Sequence, residues 1–279
     1  MGRLVLVATP IGNLGDLSPR AVAALAEADA VVCEDTRRTG RLLQHAGVRA
    51  PRLIVANEHT EHDAAKEIVR LLDAGANVAV VTDAGTPGIS DPGERLVRAA
   101  LDAGHEIGVV PGPVAAVAAL VASGLPTARF VMEGFLPRMG RERGERLEVV
   151  ARESRTVVLY EAPHRLVRTL TDLVAACGAD RPVSLARELT KLHEEIWRGT
   201  LAEALAEFVA REPIGEFVVV LAGAPETALA DDDVLCAALD AALIAGATRK
   251  DAVAEVAAAH GVARNRVYDL AVNRRAPRR

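Results

Sequence analysis

Short apolar runs rich in Val, Ile and Leu alternate with alanine-rich stretches along the first 110 residues of the chain. The intervening stretches are typical of helices, and three of them end at Gly47, Gly75 and Gly104, which suit the left-handed turn after a helix. We predict strands at residues 4–8, 30–33, 53–56, 77–82 and 107–110. Because strands that alternate with helices form parallel sheets, this pattern predicts an α/β fold with a doubly wound parallel sheet over residues 1–112.

The second half of the chain has more strands in direct succession. Strands are predicted at residues 129–133, 156–160, 183–187, 195–200 and 217–221. This succession indicates a mixed sheet with antiparallel members, so residues 113–225 form a second predicted α/β domain. Residues 226–279 show little strand signal, and we predict a small domain of three helices there, at residues 231–245, 248–260 and 263–272.

Charge is distributed unevenly along the chain. The sequence has 33 Lys+Arg against 38 Asp+Glu, a formal net charge of −5. Residues 248–279 hold eight basic and three acidic side chains, so this segment carries +5 and the remainder −10. The average excludes a wholly basic nucleic-acid binder but allows a local basic face. Residues 252–271 also resemble a helix-turn-helix, so we predict that the C-terminal domain docks on RNA; the alternative is a cap that supports a dimer.

Composition and the lengths of the apolar runs argue against several classes of protein. Half of the residues are hydrophobic, enough for a packed core. Cys33, Cys177 and Cys236 lie far apart, which argues against a disulfide framework or a zinc site. The longest apolar run, residues 107–122, is interrupted by glycines and prolines and is shorter than the roughly 20 residues of a membrane span. No signal peptide is evident, so we expect a cytoplasmic protein without a membrane segment.

Several predicted strands are followed by loops rich in Gly, Pro and Asp. Such loops matter because ligands of open α/β sheets bind at the carboxyl ends of the strands. Residues 82–93 hold three glycines, two prolines and two aspartates, and this loop is longer than an ordinary connection of two to six residues needs. We expect Asp83 to contact a ligand, and Ser90 or Asp91 to cap a helix over residues 92–103.

Common cofactor and catalytic motifs are missing from the sequence. It lacks the GxGxxG dinucleotide fingerprint, the GxxxxGK[ST] phosphate loop, HExxH and the GxSxG elbow. His59 and His62 could share a helix face, but a solvated pair is the better interpretation, and we predict no metal site.

Taken in order, the loops resemble the tetrapyrrole methylase superfamily, and the resemblance covers essentially the whole chain. It is carried by the segments VATPIGNLGDL (residues 7–17), EDTRRT (34–39), DAGTP (83–87), PGP (111–113), GLP (124–126), EGFLP (133–137), YEAPHR (160–165) and ARELTK (186–191). The resemblance implies a two-domain class III methyltransferase fold with a small C-terminal helical domain, acting as a homodimer. It also implies S-adenosyl-L-methionine bound in the cleft between the α/β domains, without a Rossmann glycine fingerprint. The cofactor-binding residues that it implies are Pro10, Asp83, Gly85, Thr86, Val114, Ala115 and Tyr160.

The closer resemblance is to the bacterial branch of this superfamily that methylates a cytidine ribose 2′-hydroxyl in the decoding region of 16S rRNA. It implies the small ribosomal subunit as partner. A ribose hydroxyl is a very weak acid, so a general base could assist the transfer. We name Glu34, Asp35 and Glu161 as catalytic candidates, with Asp91 and Glu188 as further carboxylates. Candidate RNA-binding residues are Arg37, Arg38, Arg187, Lys191, Arg264 and Arg266.

Each of these candidates has a simpler interpretation. The EDTRRT segment could cap a helix and form ion pairs, Glu161 could face a helix dipole, and Lys191 could pair with Glu188 on the surface. Two other functions also remain open at this point. One is methylation of a small precorrin-type tetrapyrrole, and the other is a nonenzymatic RNA-binding assembly protein with a vestigial cofactor pocket.

Overall fold

A computed structural model describes residues 2–49, 52–57, 60–225 and 231–273. The chain divides into two compact units, Met1–Ala224 and Pro225–Arg279. No helix among the described residues has the length and apolar character required to cross a bilayer.

The first sheet of the larger unit is entirely parallel, as the alternating pattern predicts. Its strands are β1 (Arg3–Val7), β2 (Ala30–Cys33), β3 (Leu53–Val55), β4 (Val78–Val80) and β5 (Glu106–Val110), in the order β3-β2-β4-β1-β5. Its helices are α1 (Pro19–Ala26), α2 (Thr36–His45), α3 (Glu61–Asp73) and α4 (Glu94–Asp102). Leu25 and Leu43 pack α1 and α2 on one face, and Ile68 and Leu96 pack α3 and α4 on the other.

The second sheet is mixed. After α5 (Ala115–Ser123), its elements are β6 (Phe130–Phe135), α6 (Gly140–Arg152), β7 (Thr156–Glu161), α7 (Pro163–Cys177), β8 (Pro182–Arg187), β9 (Glu195–Thr200), α8 (Leu201–Ala210) and β10 (Phe217–Leu221). The strand order is β6-β7-β10-β8-β9; β6 and β7 are parallel and the other pairs antiparallel. Leu170 of α7 and Phe208 of α8 pack on one face, and Leu120 of α5 packs on the other. Both sheets belong to the larger unit.

The smaller unit contains the three predicted helices. They are α9 (Asp232–Ile244), α10 (Arg249–Ala259) and α11 (Arg264–Asn273). Leu235, Leu239, Val253, Val256 and Val267 form a buried core of their own. The α/β fold with a small C-terminal helical region is therefore confirmed.

Two helix starts show how far local sequence determines an element. The Ser18 hydroxyl accepts a hydrogen bond from Ala21 N (3.1 Å) at the start of α1, which is the usual role of a serine at this position. The predicted cap of α4 at Ser90 or Asp91 is wrong, because α4 begins at Glu94 and neither side chain caps it. Instead, Glu61 of α3 accepts a hydrogen bond from Gly93 N (2.9 Å). A partner 32 residues away fixes this helix start, and a local pattern cannot reveal it.

Candidate active site

A cavity of about 490 Å³ lies beside the carboxyl ends of the parallel strands and extends to the second sheet. This volume falls in the usual range of small-molecule sites, roughly 300–1,000 Å³. The loop over residues 82–93 forms one wall. The lining residues are Ile11, Ala84, Gly85, Thr86, Ile89, Ser90, Asp91, Val114, Ala115, Phe135, Tyr160, Glu161, Ala162, Pro163, His164, Ala186, Leu189, Glu216, Phe217 and Val218.

Hydrogen bonds hold the 82–93 loop against both neighbouring segments. Thr9 N donates to Gly85 O (2.8 Å), and Gly85 N donates to Thr9 O (3.2 Å). Gly85 has φ +89°, a backbone conformation that residues with a Cβ atom rarely adopt. On the far side, the Thr86 hydroxyl donates to Pro113 O (3.1 Å). The loop is therefore ordered by the protein itself, which reduces the cost of ordering it around a ligand.

Tyr160 contributes an aromatic wall from the second sheet. Its hydroxyl accepts a hydrogen bond from Ala116 N (3.2 Å) in the first turn of α5. The ring of Phe135 lies 5.6 Å from the Tyr160 ring, measured between centroids. Burial raises the pKa of Tyr160, so the phenol stays neutral and its proton is available for a hydrogen bond.

Three carboxylates gather at one end of the cavity. Glu34 accepts a hydrogen bond from Asp83 N (3.2 Å), and Arg38 lies 3.4 Å from the Asp83 carboxylate. Within the described residues, the buried Oδ1 of Asp83 has no hydrogen-bond partner, and such an atom normally has one. Burial, and then the negative charges of Glu34 and Asp83, raise the pKa of Asp91 to about 7. A carboxyl group with this pKa can exchange a proton near neutral pH.

The structure brings most of the predicted cofactor-binding residues together. Gly85, Thr86, Val114, Ala115 and Tyr160 line the cavity. Pro10 and Asp83 are not in its lining, although their neighbours Ile11 and Ala84 are.

The three catalytic candidates occupy different environments. Glu161 lines the cavity, but its buried carboxylate already accepts hydrogen bonds from Ala162 N (2.9 Å) and the Thr169 hydroxyl (2.5 Å) and lies 3.1 Å from Arg165. Asp35 caps α2 through Arg37 N (2.7 Å) and does not line the cavity. Glu34 holds the backbone of Asp83. These contacts favour structural roles for Glu161 and Asp35.

The predicted RNA-binding residues have different local environments. Arg38 lies beside Asp83, whereas the Arg37 side chain is 87% exposed. Arg187 donates to Ile214 O (2.6 Å), and Lys191 binds Glu188 (2.8 Å) and Glu216 (2.9 Å). Arg264 and Arg266 belong to the smaller unit, where Arg266 pairs with Asp232 (2.7 Å).

Sequence reasoning missed several wall residues, including Ile89, Leu189, Glu216 and Val218. An unusual backbone conformation occurs at or beside some of these wall residues. The described non-glycine residues with positive φ are Ser90, Glu188 and Thr190, which line the cavity or flank its wall residue Leu189. Backbone strain of this kind is concentrated at functional sites, but residue types alone do not disclose it here.

Within the described ranges, no group of three His, Cys, Asp or Glu side chains is arranged to hold a metal ion. His59, one of the two histidines considered as a metal pair, lies outside those ranges.

Comparison with known proteins defines the class. The model of the tetrapyrrole (corrin/porphyrin) methylase family matches residues 3–205. Among solved structures, the methyltransferase CobJ superposes with a TM-score of 0.60 at 25% identity, over 80% of this chain and 93% of that one. Uroporphyrin-III C-methyltransferase from Thermus thermophilus, crystallised with S-adenosylhomocysteine, gives a TM-score of 0.55 at 21% identity, over 79% and 97% of the two chains. The chain belongs to the tetrapyrrole methylase family.

Relatives with higher sequence identity carry a more specific name than that of the family. The chain is 48% identical to ribosomal RNA small subunit methyltransferase I of Synechocystis sp. over 98% of both proteins. A relative of the same name from Thermotoga maritima is 46% identical over 223 residues, which cover 80% of this chain and 99% of the relative.

Proposed function

We propose that this chain is a methyltransferase that acts on 16S rRNA in the small ribosomal subunit, at the ribose 2′-hydroxyl of a cytidine in the decoding region. The observation that carries the proposal is the 48% identity with a ribosomal RNA small subunit methyltransferase I along 98% of the chain. A cytoplasmic homodimer is part of the proposal, by resemblance to the family.

The cofactor is S-adenosyl-L-methionine, and the cavity fits it in size and in chemistry. Val114, Ala115 and Ala84 offer apolar walls, and Tyr160 offers a ring and a hydroxyl. The buried Asp83 Oδ1 lacks a hydrogen-bond partner in the described part of the chain and adjoins the wall residue Ala84, so a rotation of the side chain toward the cavity would let it accept a hydrogen bond from a polar group of the ligand. When bound, the cofactor supplies an activated sulfonium methyl group, so the protein has to align the acceptor oxygen and manage its proton.

We assign Asp91 as the general base that accepts the proton of the ribose hydroxyl. It lines the cavity, and no hydrogen bond or ion pair within the described residues engages its oxygens. Its pKa of about 7 leaves it partly ionised at neutral pH, as a general base requires. Glu34 acts indirectly, because its charge helps to raise the pKa of Asp91. Asp91 therefore takes precedence over Glu34, Asp35 and Glu161 as the base.

Arg37 and Arg38 are proposed to hold RNA phosphate at the acidic end of the cavity, where their charge offsets the three carboxylates. Arg187 and Lys191 extend this contact along the β8–β9 loop; Lys191 would have to exchange its bonds to Glu188 and Glu216 for phosphate.

The test combines labelled S-adenosylmethionine with small ribosomal subunits from cells that lack this protein. We expect label in the ribose of one decoding-region cytidine. The D91N variant should transfer this label more slowly than the wild-type protein. Label in a precorrin-type tetrapyrrole offered in parallel would instead identify a small-molecule methylase. No transfer to either, with RNA binding retained, would identify a nonenzymatic assembly protein.

A further inference from the structure

An open groove of about 620 Å³ runs between α3 and α4, on the outer side of the first sheet. Lys66 and Arg70 line it from α3, and Arg95 and Arg98 line it from α4. The residues of each pair are four or three positions apart, so they share one face of their helix. The groove is therefore bordered by two rows of cations.

Positive charge in this groove stands out from its surroundings. Residues 1–224 contain 25 Lys+Arg and 30 Asp+Glu, a net charge of −5. The groove has four basic side chains against Glu94 and Asp102, a net charge of +2 with His62 neutral.

The cations are also available to a ligand. Within the described residues, neither Arg70 nor Arg98 forms a salt bridge. Arg95 lies 3.8 Å from Glu61 and is 68% exposed, and Lys66 lies 3.4 Å from Asp63 and is 59% exposed. The Lys66–Asp63 pair is exposed on both sides and exchanges partners at little cost, and the Arg95–Glu61 contact is too long for a hydrogen bond.

The groove begins next to the cavity. Gly93 N donates to Glu61, so the first turns of α3 and α4 meet at the end of the 82–93 loop. Asp91 lines the cavity and Glu94 lines the groove. Three residues span at most about 10 Å, so one extended ligand can contact both.

We propose that the α3–α4 groove binds the phosphate backbone of the substrate RNA next to the nucleotide that enters the cavity, an inference that rests on the proposed function. Guanidinium groups match phosphate oxygens in geometry, and Ala65, Val69 and Ala99 offer an apolar floor for the arginine stems. RNA suits the groove better than a second copy of this chain, because four cations in two rows match a line of phosphates and the groove begins beside the cavity that the RNA nucleotide has to enter.

The test compares R70Q/R98Q with the control R20Q/R152Q, which removes two exposed arginines from α1 and α6. Binding to undermethylated small subunits is measured across a salt series, together with S-adenosylhomocysteine affinity and oligomeric state. For R70Q/R98Q we expect about tenfold weaker subunit binding and a log–log salt slope smaller by about 2. Its KM for subunits should rise, with kcat, cofactor affinity and oligomeric state unchanged, and the control should match wild type.

Wild-type binding and salt slope in R70Q/R98Q, alongside normal methylation by the wild-type protein, would overturn the groove proposal and leave the proposed function intact. A change of oligomeric state in R70Q/R98Q alone would identify the groove as a contact between copies and also overturn it. Failure of the wild-type protein to methylate or bind the subunits would overturn the proposed function, and the groove proposal with it.

Discussion

At the residue scale, the pKa of Asp91 leads to a pH dependence with a defined sign. The carboxyl is protonated below its pKa of about 7 and can accept a proton only above it, so the methylation rate should rise between pH 6 and pH 8. We expect D91N to lower kcat by about 100-fold and to abolish this rise. Single-turnover methylation across the pH range measures both effects.

D35N is the matched control, because Asp35 caps α2 and does not line the cavity. It should keep the wild-type pH profile; a D91N profile identical to that of wild type would exclude Asp91 as the base.

The pH dependence of protein stability gives a second test of the Asp91 pKa. A raised folded-state pKa means that stability falls as pH rises from the unfolded-state pKa toward 7, so D91N should be more stable than wild type at pH 8.

Gly93 is a second position where a single substitution tests the site, because the backbone there leaves no room for a Cβ atom. Its φ is +148°, and a Cβ placed on it would lie 2.8 Å from Gly88 N, inside the cavity loop. G93A should therefore cost about 3 kcal/mol of unfolding free energy and weaken S-adenosylhomocysteine binding. G104A, at the other end of α4, has φ +81° and open space around its Cβ, so it should cost about 1 kcal/mol and leave binding unchanged. Equal effects of the two variants on ligand affinity would contradict this assignment.

At the element scale, Glu61 anchors α3 to the start of α4. The residue is 7% exposed, and removing its carboxylate leaves Gly93 N buried without that acceptor. E61A should lower the free energy of unfolding by about 1–3 kcal/mol, as measured by denaturant titration. E67A removes a partly exposed glutamate of α3 that pairs with Arg52, and should cost less than about 1 kcal/mol. A larger loss in E67A would show that the anchor lies elsewhere.

Most elements were predictable because apolar runs and terminal glycines specify them locally. Residues 30–33, 195–200 and 217–221 are predicted with the same bounds as β2, β9 and β10. The start of α4 was not, because it depends on Glu61 in another helix. The same limit applies to the site. Loop motifs indicated Gly85, Thr86 and Tyr160, but Ile89 and Glu216 line the same cavity only because segments from the two sheets come together in the fold.

At the scale of the whole molecule, the predicted RNA docking by the C-terminal domain faces two opposing observations. Residues 225–279 contain eight basic and eight acidic side chains, so the +5 of residues 248–279 is cancelled within the same unit. The Thermotoga maritima relative aligns over 99% of its own length but only 80% of this chain, so about a fifth of this chain has no aligned counterpart in it. The arginines beyond residue 273 lie outside the described residues.

A chain that ends at Ala224 tests this unit directly. Since every residue that lines the cavity belongs to Met1–Ala224, S-adenosylhomocysteine affinity should stay within about a factor of two of wild type by calorimetry, well below 1 kcal/mol. Subunit affinity should fall by less than about fivefold, or 1 kcal/mol. A loss of a hundredfold with normal cofactor binding would reinstate the C-terminal helices as the main RNA contact.

The hydrogen bond between Gly93 and Glu61 gives the molecule a thermodynamic property of its own. It joins the end of the loop that lines the cavity to the first turn of a helix that lines the groove. A ligand in the cavity and a ligand in the groove therefore contact segments that share this hydrogen bond. Linkage then requires reciprocity: the factor by which RNA changes the affinity for the cofactor equals the factor by which the cofactor changes the affinity for RNA. Titrating S-adenosylhomocysteine with and without ribosomal subunits would therefore measure communication across the loop before any methyl group has moved.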